Sequence, residues 1–531
     1  MFLKIKMISV RIVLLVLLSA ACGTAIFATP QPNIVLIYAD DLDADELNLT
    51  MNRVDTWATP YGARKVVGKG YKAGVPKVFT PHIDSLAQDG LLFTRFYVNG
   101  TVCTSSRYCL LTGRYATRGL ELQKDYPVNT HATLEWRPAI LREETNLAKE
   151  LKNLGYRTGI IGKWHNMPDK VLPKRNKKAH AANATYETTK KFEKAIREYY
   201  EAGIEYLSSG FGWDVVDRME WGNSIVNLDW QCAGALKFIE ESKGRPFFLY
   251  CALPVPHGQY YFDYNNISSY DQRVTSAGIV EEPIVVLPTA ENVLDRTRAK
   301  GVSIKNAMAT RMDDYVGAVL GKLDALGLSD NTIVIFTSDH GSRGKNSVFE
   351  GGAKVPMIVK WPDRIEAGTE NDSLIGNVDI AATLIEVAGG ATPKDMLIDG
   401  CSFLLQLVSQ VEPNDWRASM LIEAGNSRAI VTRDWKYIAN RVPLEVAAKM
   451  AARPREVFWT GVDHHNYQTE KMYPAYWDAD QLYDLNEDLY EQQNLSQHPD
   501  YQKQLEKMQK ELQIVISTLP HTFGEFGTNR D

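Results

Sequence analysis

The chain has little that could cross a membrane. Its one strongly apolar run, Ile12 to Leu18, is too short to span a bilayer. Lys4, Lys6 and Arg11 precede it, and the small residues Ser19-Ala20-Ala21 follow. That order reads as a secretory signal peptide over residues 1–25, cut near Ala25 or Ala28, and predicts a secreted or periplasmic protein. A lipid anchor on Cys22 is the lesser alternative, because Ser19 stands three residues before it where leucine is usual. Cysteine is scarce: there are six in 531 residues. Beyond Cys22 the other five (Cys103, Cys109, Cys232, Cys251, Cys401) are widely spaced, and an odd count in an exported chain leaves at least one unpaired. One cysteine is therefore expected to serve chemistry rather than a framework. No sign of charge dominates, with 59 Lys and Arg against 65 Asp and Glu and a net charge of −6, which argues against a general nucleic-acid binder. No internal repeat or long low-complexity tract is present. What remains is ordinary for a globular protein, 44% hydrophobic and 23% charged. The length suits one large α/β domain with a smaller companion, or several small domains.

Apolar runs of strand length alternate with helical stretches, the pattern of a mostly parallel sheet covered by helices on both faces. The clearest predicted strands are Ile34–Ala39, Thr158–Ile161, Phe247–Leu253 and Ile333–Thr337. The first runs into Asp40-Asp41, the second into Gly162-Lys163-Trp164-His165, the third towards Pro256-His257, and the fourth into Ser338-Asp339-His340-Gly341. Ligands of open α/β sheets sit beyond the carboxyl ends of the strands. Any single acid or histidine there is better read as a capped turn or a packed side chain, but four strands delivering such groups to one edge predict a shared site. Near residues 410–425 the character changes. A hairpin-like segment at Arg428–Tyr437, the run Leu482-Tyr483-Asp484-Leu485 and a polar helix from Gln502 to about Thr518 predict a smaller α+β unit over 413–531, after a catalytic domain over 30–412.

The run Cys103-Thr104-Ser105-Ser106-Arg107-Tyr108-Cys109-Leu110-Leu111-Thr112-Gly113-Arg114 resembles the sulfatase signature, C-x-P-S-R followed by L-x-T-G-R. The likeness extends to Asp40-Asp41, Thr80-Pro81-His82-Ile83-Asp84, Gly162-Lys163-Trp164-His165, Ser338-Asp339-His340-Gly341, Glu350-Gly351-Gly352-Ala353-Lys354 and Leu482-Tyr483-Asp484-Leu485, in family order. The resemblance implies an α/β, alkaline-phosphatase-like fold, with a mostly parallel sheet flanked by helices and a smaller C-terminal α+β subdomain. It also implies hydrolysis of sulfate esters. In the family the motif cysteine is oxidised by a formylglycine-generating or sulfatase-maturating enzyme to formylglycine, an aldehyde that hydrates to a geminal diol. One hydroxyl attacks sulfur and expels the alcohol; the other then loses its proton so that sulfate leaves and the aldehyde reforms. Family topology puts Cys103 at a helix N-terminus, where unsatisfied N–H groups favour an anion. Arg107 lies one turn on, along the same face.

Asp40, Asp41 and Asp339 offer hard oxygen ligands suited to calcium, with magnesium as the alternative. Cys103 and His340 complete the implied metal set, and His340 either coordinates or hydrogen-bonds the sulfate. By resemblance Lys163 and Lys345 contact the sulfate oxygens, His257 protonates the leaving oxygen and His165 takes the proton as the diol collapses, tasks that suit imidazole. His82 reads as structural. Ser105 departs from the family's proline, or alanine in some bacterial members, at a position that the oxidising enzyme reads. Two basic stretches, Arg64, Lys65, Lys69, Lys72 and Lys77, then Lys170, Lys174, Arg175, Lys177 and Lys178, flank strand-end loops and could draw a polyanion to the site. Trp164, Tyr260 and Tyr261 could stack on a sugar. The expected substrate is a sulfated sugar or polysaccharide. The alternatives are a phosphate or phosphonate esterase of the same superfamily, or a silent sulfoglycan-binding protein if Cys103 stays a thiol.

Overall fold

A computed structural model describes residues 31–47, 49, 77–179, 184–222, 225–257, 271–393, 396–460 and 469–524. The predicted signal peptide with Cys22, the basic positions Arg64, Lys65, Lys69 and Lys72, and Tyr260 and Tyr261 lie outside these residues. In chain order the main strands are β1 (Asn33–Ala39), β2 (Leu91–Phe93), β3 (Arg157–Lys163), β4 (Val215–Glu220), β5 (Phe247–Ala252), β6 (Thr332–Ser338), β7 (Met357–Lys360) and β8 (Thr369–Asn371). They form one sheet in the order β8-β2-β7-β6-β1-β5-β3-β4. Neighbours pair in parallel except around β7, which runs against both β6 and β2. All four predicted strands are present, and each extends one residue further at its amino end than the apolar run suggested, except β5.

The central strand shows why this sheet is buried on both faces. Every residue of β1 is inaccessible. Side chains alternate across a strand, so Ile34, Leu36 and Tyr38 enter one core and Val35, Ile37 and Ala39 the other. The first core is closed by helices that include Cys103–Thr112 and Asp379–Val387. The second is closed by Leu228–Glu241 and Ala307–Ala325. At roughly 25 cal/mol per Å² of apolar surface removed from water, this two-sided burial is the main stabilising contribution.

A second, antiparallel sheet holds β9 (Met420–Ala424), β10 (Ser427–Val431), β11 (Trp435–Asn440) and β12 (Asp480–Asp484), in that order. The helix Gln502–Ser517 follows and sends Leu505, Met508 and Leu512 into the same core as Ile34. The backbone N–H of Glu423 in β9 donates to the carbonyl of Asn99 at 2.9 Å, four residues before Cys103. The small sheet is thus docked beside the segment that leads into the signature helix. No described helix is long and apolar enough to cross a membrane.

Candidate active site

The signature forms the helix Cys103–Thr112, with Cys103 as its first residue. Val102 precedes it in an extended conformation, and no side chain caps it. The amides of its first turn are therefore not used within the helix. Ser105 sits in that first turn, where proline is tolerated because its missing N–H is not needed. Its hydroxyl instead donates to the Val102 carbonyl at 3.2 Å. Gly113 ends the helix in the left-handed region (φ 67°), where the Cβ of any other residue would also press on Ile398 at 3.0 Å. Asn166 donates to the Thr104 carbonyl (2.7 Å) and Asn377 to the Ser106 carbonyl (3.0 Å), so the first turn is held from two sides.

Four other segments bring side chains to Cys103. Asp40 and Asp41 follow β1; Asp41 has φ 64°, a conformation aspartate tolerates, and its N–H donates to Asp339 Oδ1 at 3.2 Å. Lys163 ends β3 after a register shift at Gly162. Gly162 has φ 99°, and a Cβ there would stand 2.1 Å from the Ala252 carbonyl oxygen, so glycine is required for the bulge that aims the lysine. Asp339 and His340 follow β6. Lys345 lies on a loop closed on itself by Gly341 N–H to Gly352 O (3.0 Å) and Gly344 N–H to Gly351 O (3.1 Å). The N–H of Asn346 donates to the Thr101 carbonyl at 2.9 Å, which draws this loop against the start of the signature helix.

The result is convergence on one atom. From Cys103 Sγ, His340 Nε2 is 3.4 Å away, Lys163 Nζ 3.5 Å, Asp40 Oδ1 3.6 Å and Lys345 Nζ 3.7 Å. Lys163 pairs with Asp40, and Lys345 reaches Asp41 Oδ1 (2.8 Å) and His257 Nε2 (3.0 Å). His257 Nε2 is also 3.5 Å from Asp41 Oδ2. Arg107 donates to Asp339 Oδ2 at 3.1 Å and to the Tyr250 hydroxyl at 3.2 Å, under the ring of Tyr38. All of these charged groups are buried. His340 Nδ1 donates to the Gly341 carbonyl oxygen at 3.1 Å, which fixes the ring with Nε2 towards Cys103.

Electrostatics bear the marks of that crowding. Burial alone would raise the Asp40 carboxyl, but Lys163, His257, Arg107 and Lys345 together hold it well below the usual range. Burial, then Asp40, lifts Asp339 to about 7. Against burial and Asp40, the cations Lys163, Lys345 and His340 bring the Cys103 thiol down to about 6. Burial would lower His340, yet Asp339 and Cys103 raise it to about 9. Burial lowers His257 despite Asp41 and Asp40. Donor atoms of Asp40, Cys103, Asp339 and His340 lie within 4.8 Å of one another, as do those of Asp40, Asp41 and His257. The gathered hard oxygens with one imidazole fit a divalent cation.

Two expectations change. Trp164 is buried against Phe211 at 2% exposure and offers no face to a sugar. Lys77 is paired with Asp45 rather than open at the mouth. His165 makes no hydrogen bond to the cluster among the described residues. Its Nδ1 is buried without a partner, and burial, with Lys163 adding, lowers its pKa to about 3. His82 packs its ring on Gly317, consistent with a structural place. Sequence reasoning did not find Trp136, whose ring covers Lys345 Nζ at 5.7 Å and which only tertiary folding brings to the site, or Asn166, whose place directly after His165 was a local signal.

Opposed buried acids and cations thus surround one cysteine at the carboxyl edge of an open α/β sheet. The sulfatase family profile matches residues 32–391, and the chain belongs to that family, the sulfuric ester hydrolases. It is 29% identical over 493 residues to the ulvan-active sulfatase of Formosa agariphila, covering 91% of this chain and 79% of the relative. It is 25% identical to the N-acetylgalactosamine-6-O-sulfatase of Bacteroides thetaiotaomicron, covering 90% and 92%. Among solved structures, a Bacteroides thetaiotaomicron protein described under the metabolism of multiple glycosaminoglycans has a TM-score of 0.58 at 22% identity, covering 92% of this chain and 99% of that one, a likeness of fold.

Proposed function

We propose that the enzyme removes sulfate from a sulfated carbohydrate, with Cys103 converted to formylglycine and calcium, or magnesium, held by Asp40, Asp41, Asp339 and His340 beside the Cys103 side chain. The observation that carries this reading is the convergence of His340, Lys163, Asp40 and Lys345 on Cys103 Sγ. The names of the two relatives support a carbohydrate. The cation supplies positive charge against the ester oxygens, and the hydrated aldehyde supplies the attacking hydroxyl and a second hydroxyl through which sulfate can leave. Lys163 and Lys345 bind the sulfate oxygens. Arg107 holds Asp339 and, through it, the donor cluster. His257, held by Lys345 and Asp41, gives a proton to the departing sugar oxygen. His165 is kept neutral by burial and Lys163; the arriving sulfate offsets the lysine's charge and eases the proton's return to the imidazole.

Conversion of Cys103 requires a maturating enzyme, which supplies the oxidant as the thiol carbon becomes an aldehyde and the sulfur departs. Residues 30–412 carry the chemistry, 413–531 form the supporting subdomain, and 1–25 direct export to the periplasm or medium. Lys170, Lys174, Arg175, Lys177 and Lys178 are exposed on the loop that follows His165, where they favour a polyanionic chain. The test uses protein produced with a maturating enzyme and supplied with calcium. Nitrophenyl sulfate should be hydrolysed well ahead of nitrophenyl phosphate, and sulfate should be released from N-acetylgalactosamine 6-sulfate or ulvan oligosaccharides. Preference for the phosphate, or no release from any sugar sulfate, would overturn the reading.

A further inference from the structure

Trp136 occupies a place that packing alone does not explain. Its backbone is left-handed (φ 51°), uncommon for a bulky residue and costing on the order of 1–3 kcal/mol. The flanking chain is pinned on both sides. Leu134 N–H donates to the Gly425 carbonyl (3.1 Å), Asn166 donates to the Pro138 carbonyl (2.9 Å), and Arg137 reaches Asp125, Glu121 and Asp169. These anchors hold a strained loop so that its tryptophan is only half-buried, where a core tryptophan would be covered. Two groups of the candidate site lie beside the ring. Lys345 Nζ is 5.7 Å from its centroid, and the His165 ring is 6.2 Å away at 45°.

An apolar ring beside the lysine proposed to hold sulfate suits a ligand with an anionic end and an apolar face. A sugar sulfate has both, in its ester oxygens and in the C–H face of its ring. We propose that Trp136 is the substrate-stacking residue of this enzyme, fixing the sulfated sugar ring against the sulfate pocket and so helping to determine which sugar is accepted. The role rests on the carbohydrate reading above. Its rival is that the ring merely steadies the Lys345 ammonium through its π face.

Two readouts separate these roles: the KM for whichever sugar sulfate the native enzyme hydrolyses, and the inhibition constant of inorganic sulfate, which reports the lysine pocket without the sugar. Stacked aromatic contacts are worth enough that Trp136→Ala should raise the sugar KM by about 3- to 10-fold. Trp136→Phe should recover most of that loss, and the sulfate inhibition constant should stay near the native value in both. An unchanged sugar KM in Trp136→Ala overturns the proposal. So does sulfate inhibition weakened by the same factor as the KM, which would make Trp136 a support for Lys345. Native protein that hydrolyses nitrophenyl sulfate but no sugar sulfate overturns the carbohydrate reading and the stacking role with it. Native activity on the sugar with an indifferent Trp136→Ala removes the stacking role alone.

Discussion

Two buried clusters of acids and lysines lie in this protein, and they are built differently. At the junction with the small sheet, Lys436 Nζ sits 3.1 Å from Glu350 Oε1 and 3.0 Å from Glu491 Oε1. The Tyr97 hydroxyl donates to Glu350 Oε2 at 3.2 Å, and Glu491 Oε2 accepts the Glu350 N–H at 2.6 Å. There both carboxylates close on one ammonium, and the charges neutralise one another. At the strand ends, lysines, carboxylates and an imidazole also pair, but four of them point at the same sulfur atom. Burial lifts one acid to about 7 in each cluster, Glu491 and Asp339. A displaced pKa therefore does not separate a structural ion cluster from a site. What sets the strand-end cluster apart is its convergence on one thiol.

Substitutions can break that contrast. The largest effect is expected at the focus itself. Cys103→Ala should reduce turnover by more than about 10⁴-fold, as loss of a nucleophile acting with its partners does, while the unfolding midpoint moves little. Substantial activity in that variant, freed of host enzyme, would put the focus elsewhere. Next is the proton donor. His257→Ala should slow hydrolysis of a sugar sulfate by about 10²–10⁴-fold, the usual worth of general acid catalysis, and spare nitrophenyl sulfate, whose leaving group needs no proton. Equal losses on both substrates would count against the role. At the junction the currency should change from rate to stability. Lys436→Met leaves Glu491 buried without its cation, and Glu350 with only Lys354 at 3.7 Å, and should cost about 3–5 kcal/mol in denaturant unfolding, with turnover per folded molecule near native. A stable variant with poor turnover would erase the distinction between the clusters.

The last effect is one of pH. Burial, with Lys163 adding, holds His165 near 3, against about 6.5 in an unfolded chain. Between those values the unfolded state binds the extra proton, so native stability rises with pH from about 3 to 6.5 and levels off above. His165→Gln should flatten that rise. An unchanged slope would show that the imidazole is not held neutral.

Much of the sheet and most of the cluster were legible because the signal was local. Continuous apolar runs such as Ile34–Ala39 read as strands buried on both faces, and the residue after each run inherits a place at the sheet's edge. The need for glycine at 162 was not legible, since it comes from the Ala252 carbonyl of the neighbouring strand. The junction was not legible. Lys436 lies 86 residues from Glu350, and only the docking of the small sheet brings them together. Trp136 was hidden for the same reason, since its backbone is set by distant anchors at Gly425 and Asn166. Trp164 misled because its neighbours in the motif face the site while its own ring turns into the core.

The central claim is that the point of convergence is an aldehyde in the working enzyme. Mass spectrometry of the Cys103 peptide, taken from protein with measured sulfatase activity, tests it most directly. The account predicts a peptide that has lost one sulfur and two hydrogens and gained one oxygen, that reacts with a hydrazide probe, and whose abundance tracks activity across preparations made with and without a maturating enzyme. Full activity with Cys103 wholly present as a thiol would contradict it.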